Sequence, residues 1–444
     1  MFIRNKDRLF LFAYFLLIIL AGSVLLVHPV SWNGTQRLRY IDALFTATSA
    51  VCVTGLITVD TAQYSTFGKV VILLLIQFGG LGIIAFTTIF IALPRKRISL
   101  VNRKLIGDYY LESLERNPRR IIGHIILFTA LIELAGALTM YPVFRSTVGE
   151  GALFCAVFHS VSAFCNAGFS LFSDNLEGYV TNPVISFTIM ALITSGGIGF
   201  LVLEDLTERL RGMRRRTTVH TRLVLGMSGL LIVLGAAAIL LFDWNGCLAD
   251  LSPAEKIQAA LFASVTPRTA GYDTILPASF STPSKLVTIC LMFIGASPAS
   301  TGGGIKTTTF FLIFVMILRG SEGQEDIRAF GKKIGSGSIN RAMMLSLRAV
   351  SLLALAVFLL CVTELFAAPG PGKDFLAVVY ETFSAFGTVG LSLGLTPLLT
   401  DAGKVVIILS MFAGRVGMSA LAIPLSRSSH RNAVDYPTEE VLIG

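Results

Sequence analysis

The chain has 444 residues, 54% of them hydrophobic and only 14% charged, with a mean hydropathy of +0.74. Soluble domains carry about 25% charged residues, so a soluble enzyme or binding domain is excluded, and no polar block is large enough to fold alone. The net charge of +9 comes from basic residues gathered between hydrophobic runs, which argues for solvated loops on one side of a membrane rather than for a nucleic-acid surface.

A hydrocarbon core about 30 Å thick takes roughly 20 apolar helical residues. Eight stretches meet that need: 9–28, 69–93, 121–142, 183–203, 223–242, 285–318, 345–366 and 404–424. The first follows Arg4, Lys6 and Arg8 but exceeds the roughly 7–15 apolar residues of a secretory signal, so it reads as a retained span. Eight spans put both termini on one side. That side holds 25 of the 36 Lys and Arg residues, nine lie opposite, and Lys306 and Arg415 fall inside spans. Cytoplasmic loops accumulate basic residues, which predicts cytoplasmic termini. The six cysteines, Cys52, Cys155, Cys165, Cys247, Cys290 and Cys361, show no metal or disulfide spacing and read as small buried apolar residues.

Between paired spans lie apolar connections that match one another. They read Phe45-Thr-Ala-Thr-Ser-Ala-Val-Cys-Val-Thr-Gly55, Phe158-His-Ser-Val-Ser-Ala-Phe-Cys-Asn-Ala-Gly168, Leu261-Phe-Ala-Ser-Val-Thr-Pro-Arg-Thr-Ala-Gly271 and Tyr380-Glu-Thr-Phe-Ser-Ala-Phe-Gly-Thr-Val-Gly390. Ser-Ala precedes the glycine at Ser49, Ser162 and Ser384, where the third unit has Val265-Thr266. A second glycine match follows in the descending spans, at Gly79-Gly80, Gly196-Gly197, Gly302-Gly303-Gly304 and Gly414. The implied architecture is an all-α membrane protein with eight transmembrane helices and four re-entrant pore loops. Four parallel helix, pore loop, helix repeats occupy 9–93, 120–206, 220–318 and 342–424, with pseudo-fourfold symmetry about the membrane normal and a cytoplasmic tail over 425–444.

A helix of ten or so residues cannot cross the bilayer, so its return strand leaves carbonyls unpaired at membrane depth, where irregular backbone survives only inside protein or along a water-filled path. Four such strands meeting on an axis make rings of carbonyls, the device that replaces the hydration shell of potassium. Gly55, Gly168, Gly271 and Gly390 supply the free φ that this needs. A lone glycine there would read as a helix C-cap, but recurrence at one offset in four units favours the strand. Helix C-terminal ends aimed inward favour cations over anions.

The strings around Gly55, Gly271 and Gly390 resemble the pore loops of the membrane subunits of bacterial Ktr potassium uptake systems, within the Trk/Ktr/HKT superfamily. The resemblance runs over nearly the whole chain and implies a selectivity filter of Val53, Thr54 and Gly55; Asn166, Ala167 and Gly168; Thr269, Ala270 and Gly271; Thr388, Val389 and Gly390. Four intact glycines go with potassium preference in plant relatives, where Ser at the first goes with sodium. Cys52 departs from a Thr frequent in relatives, and one glycine per strand implies looser discrimination than Gly-Tyr-Gly. The resemblance further implies a homodimer in the bacterial plasma membrane, among membrane lipids, seated on a cytosolic KtrA-type ring that binds ATP or ADP. This chain would then bind no nucleotide and no covalent cofactor, with sodium as an activator. Passive conduction and sodium-coupled symport are both compatible with these residues.

Pro298 and the glycines at 302–304 predict a broken helix over 295–309. The resemblance makes it an intramembrane loop beneath the filter, with Ser300, Gly302, Gly303, Gly304 and Lys306 as gate residues. A nucleotide P-loop fails because Ile305 separates Gly304 from Lys306 and no strand precedes it. Arg415 lies mid-span, where a charge costs about 3 kcal/mol or more. The resemblance places it in the pore as a repulsive gate, and pairing with Glu133 or Glu364 is the alternative. Arg268 is expected to brace its loop through carbonyls or Asp273, and His159 to be packed. No arginine-rich span suggests voltage sensing, and no catalytic constellation suggests an enzyme.

Overall fold

The computed structural model describes residues 5–92, 118–212, 217–319, 328–329, 332–333 and 336–417. The expected tail over 425–444, most of the basic stretch over 95–120 and part of the Gly331–Gly337 segment lie outside them. Among the described residues the regular structure is helical but for a two-residue antiparallel pairing of Arg328–Ala329 with Lys332–Lys333 and isolated bridges of Trp32 with Tyr64 and Ile294 with Ile305.

In chain order the α-helices are α1 (Asn5–Val27), α2 (Tyr40–Val51), α3 (Thr66–Ala92), α4 (Pro118–Thr147), α5 (Ala152–Phe164), α6 (Pro183–Ile198), α7 (Phe200–Leu210), α8 (Val219–Asp243), α9 (Pro253–Val265), α10 (Thr282–Phe293), α11 (Thr307–Arg319), α12 (Ser336–Leu360), α13 (Phe375–Gly387) and α14 (Asp401–Val416). Polar caps set the starts. Asn182, Thr218 and Asp374 accept from backbone amides at the heads of α6, α8 and α13, and Ser252 with Glu255 forms a capping box on α9.

By length and composition α4 over Ile122–Thr147, α8, and α12 with the π-helical Cys361–Phe366 can each cross a membrane. The span expected over 183–203 is instead two helices. The chain bends by 101° between α6 and α7 at Gly199, whose φ of +92° suits glycine, and Phe200 N–H donates to the Ala299 carbonyl at 2.9 Å rather than continuing the helix. The span expected over 285–318 breaks between Phe293 and Thr307, as Pro298 and the glycines require. The last described helix ends at Val416, before Gly417 at φ +84°.

The short helices α2, α5 and α13 each sit between two longer ones, and α9 sits between the long α8 and the similarly short α10. Helix contacts run around a circle: α3 touches α4 and α5, α6 touches α9, α10 touches α13, and α14 touches α2. At the last junction Lys404 Nζ meets Asp42 Oδ1 at 2.6 Å, both nearly buried, and Arg39 pairs with Asp401 at the surface. Residues of the inner helices, among them Phe45, Phe158, Phe262 and Phe386, are almost wholly buried, while Leu17, Leu138, Leu241 and Phe358 on the long helices face outward. That inversion suits a protein whose outer solvent is lipid.

Candidate ion pathway

Each short helix ends in an irregular strand with one backbone signature. Val53, Asn166, Thr269 and Thr388 have φ of +50°, +59°, +73° and +51°, and two residues later Gly55, Gly168, Gly271 and Gly390 have φ of +92°, +69°, +76° and +98°. The Ser-Ala signal has a physical basis in the hydroxyls that hold these strands. Ser49 Oγ accepts from Gly55 N–H at 3.0 Å and Ser384 Oγ from Gly390 N–H at 3.1 Å, and Ser162 exchanges bonds with the Phe169 backbone. In the third unit Thr266 Oγ1 donates to the Tyr272 carbonyl at 2.5 Å, so the hydroxyl is retained one position later.

The four glycines close a ring. A Cβ on Gly55 would lie 2.6 Å from the Ala167 carbonyl oxygen and 3.1 Å from Gly168 Cα. Gly168 meets Ala270 and Gly271 in the same way, Gly271 meets Val389 and Gly390, and Gly390 meets Thr54 and Gly55. The descending glycines allow a second close approach. Cβ atoms on Gly79, Gly196 and Gly414 would lie 2.0, 1.9 and 1.9 Å from the carbonyls of Val51, Phe164 and Phe386 at the ends of α2, α5 and α13.

Beneath the ring lies the broken segment 294–306. Its Gly303 N–H donates to Thr388 Oγ1 at 3.0 Å, Thr301 Oγ1 to the Phe164 carbonyl at 3.3 Å, and Lys306 Nζ to the Gly302 carbonyl at 2.6 Å. Ser297 and Thr301 amides donate to Gly197 and Gly196 carbonyls at the end of α6. Arg415 donates to the Thr301 carbonyl and, at 2.5 Å, to the Gly79 carbonyl.

Residues 13–432 match the TrkH family of cation transport proteins. The chain belongs to that family. It is 39% identical to the Ktr system potassium uptake protein B of Bacillus subtilis (strain 168), over 97% of this chain and 95% of that protein. It is 37% identical to the potassium/sodium uptake protein NtpJ of Enterococcus hirae, over 97% and 95%. In fold it is similar to the potassium transporter TrkH from Vibrio parahaemolyticus, with a TM-score of 0.75 at 18% identity, over 96% and 85% of the two chains. The Ktr likeness read from the filter strings is upheld, and this TrkH-family chain is a membrane transport protein rather than an enzyme.

Several buried polar groups of the TrkH-family chain find partners that sequence did not reveal. Neither acid considered for Arg415 is bonded to it: Glu364 takes Lys373 at 2.6 Å, and Glu133 takes Gln77 at 3.2 Å. Arg268 braces its loop against Ser228 on α8, with Nη1 to the carbonyl at 3.4 Å as expected and Nη2 to Oγ at 3.0 Å, and not through Asp273. His159 is fully buried between Phe144 and Phe172, with Nδ1 at 2.8 Å from the Cys155 carbonyl and Nε2 at 3.1 Å from Ser170 Oγ. Cys52, Cys155 and Cys165 are buried as expected, whereas Cys247 and Cys361 are half-buried and Cys290 is exposed. Cys290 sits on α10 near the exposed Leu286, on an apolar surface where a small thiol costs little.

On the side of the glycine ring away from the broken segment is a cavity of about 220 Å³, lined by Gly55, Gly168 and Gly390 and by Asp174, Glu177 and Asp273. These acids lie in connections outside the long helices; only Asp273 stood out in the sequence, and there as a partner for Arg268 rather than as part of a cavity. Burial, with Glu177 and Asp174 nearby, pushes the Asp273 carboxyl up to about 8.

Proposed function

We propose that this chain is the conducting subunit of a potassium uptake system, moving the ion through a four-loop filter gated by the broken segment and Arg415. The observation that carries the reading is the closed ring of four glycines, each against the carbonyl preceding the next. Main-chain oxygens so gathered can replace water around a monovalent cation. The names of its Bacillus and Enterococcus relatives, which specify potassium uptake and potassium/sodium uptake, support the same ion, with sodium as a second ligand or activator. On this reading the chain makes eight spans and four re-entrant loops in parallel repeats over 9–93, 120–206, 220–318 and 342–424, with both termini cytoplasmic. It works as a homodimer on a cytosolic KtrA-type ring that carries the ATP or ADP.

The decisive experiment is rescue of a potassium-uptake-deficient bacterium, with and without a regulatory subunit, paired with flux into liposomes under a potassium gradient alone. Growth rescue and passive potassium flux are the expected results. Failure of both in correctly assembled protein would remove the proposal.

Arg415 leaves a fixed positive charge beneath the ring, tied to the segment through Thr301. Arg415→Ala is expected to raise cation flux in the same liposomes, because it removes both the repulsion and the tie, and unchanged flux would deny it the gate role. Asp273 is a pH-sensitive element of the outer mouth. A carboxyl raised to about 8 is neutral below that pH and charged above it, so charge gathers at the mouth as pH rises. Rubidium uptake at low ionic strength is expected to increase between about pH 7 and about pH 9, and to flatten in Asp273→Asn.

A further inference from the structure

We propose that Thr388 is a positioning residue that joins the broken segment to the inner end of the filter, so that the segment's position sets ion preference as well as flux. The proposal rests on the filter reading above and adds a specific determinant to it.

The first residue of each filter strand is left-handed, and in three of the four units it is β-branched: Val53, Thr269 and Thr388. Branched residues are disfavoured in that region, and such conformations persist only where the surroundings over-determine them. For Thr388 the surroundings are the end of α13, where Thr388 and Val389 amides donate to the Ala385 and Ser384 carbonyls at 3.1 and 2.8 Å, and the broken segment. Gly303 N–H donates to its Oγ1 at 3.0 Å in a fully buried contact, and a Cβ on Gly303 would come within 2.5 Å of that oxygen. Thr269 is gripped in a related way. Its hydroxyl donates to the Asn166 side-chain oxygen at 3.1 Å, with the Asn166 amide nitrogen on the Ala163 and Ile193 carbonyls, and a Cβ on Gly302 would lie 2.0 Å from Thr269 Oγ1. The bare glycines at 302 and 303 are therefore what lets the segment touch the strands.

Displacement of the segment breaks the Gly303–Thr388 bond and strands a buried N–H, which is costly, while Thr388 keeps its helix-end bonds but loses the one side-chain contact that fixes it against the segment. Relaxation of its φ and ψ turns the Thr388–Val389 peptide, and with it a carbonyl of the innermost layer. The same motion that clears the path thus alters the ligands at its inner end.

The test is the potassium-to-sodium influx ratio, with total flux, in proteoliposomes of the whole chain carrying Thr388→Val, Thr388→Ala or Thr388→Ser. Valine keeps the shape and loses the acceptor, alanine loses the acceptor without bulk, and serine keeps it. The ratio is expected to fall about fivefold in the valine and alanine variants, the equivalent of one lost neutral hydrogen bond, with total flux raised, and to stay at the wild-type value in the serine variant. A wild-type ratio in either acceptor-free variant that assembles, or an equal fall in the serine variant, overturns the proposal. A wild-type protein with no potassium preference at all would instead count against the filter reading.

Discussion

Gly390→Ala is expected to abolish potassium uptake while Gly394→Ala, four residues on, leaves it nearly intact. The two glycines have similar positive φ, +98° and +94°, so a Cβ meets a strained backbone region at both. Their surroundings differ. A Cβ at Gly394 meets nothing within 4 Å, whereas at Gly390 it would lie 2.2 Å from the Thr54 carbonyl oxygen and 3.0 Å from Gly55 Cα. Both neighbours are backbone, so neither can rotate away, and relief must come from spreading the ring. Strain of the order of 1–3 kcal/mol placed on the carbonyls of the proposed filter corresponds to a loss of up to about 100-fold in flux. Rubidium uptake into liposomes, with monodispersity as the assembly check, measures it. Equal activity of the two variants would separate the ring from conduction.

The repeat was legible because each recurrent residue meets a recurrent constraint. A hydroxyl before the filter glycine recurs since a strand amide or carbonyl needs a partner inside the protein. Glycine recurs in the descending helices since the end of a short helix presses on them. Where the constraint shifts by one residue, as from Ser to Thr266, pattern matching loses it although the chemistry is kept. The broken helix was legible from Pro298 and three glycines. The bend at Gly199 was not, because glycines at 196, 197 and 199 in an apolar run carry no sign of where or in which direction the helix turns. Its cause is the Ala299 carbonyl of another unit, which captures the Phe200 amide. Arg415 was recognisable as an anomaly of depth, but its partners are backbone carbonyls, which no residue pattern encodes.

The seam between the first and last units lay beyond sequence reading for the same reason, since Asp42 and Lys404 stand 362 positions apart. Their side chains are only 9% and 8% exposed, so neither charge has much water to fall back on. Lys404→Met is expected to destabilise the protein by about 3–5 kcal/mol, because it leaves the Asp42 carboxylate buried without its counter-charge. The double variant Asp42→Leu with Lys404→Met is expected to recover most of that loss, since an apolar pair of similar volume avoids the desolvation of both ions. The surface pair Arg39–Asp401, with side chains 61% and 57% exposed, offers the contrast, and Arg39→Ala should leave thermal stability almost unchanged. Thermal unfolding in detergent of the two single variants at the buried pair and of the double gives the coupling directly. Additive losses would mean that the two charges act separately, and the ring would then be closed by apolar packing of α14 against α2 alone. Strong coupling together with lost potassium flux in the single variants would instead tie the geometry of the filter to a contact at its outer edge, because the strand that follows α2 is held in register by the same helix.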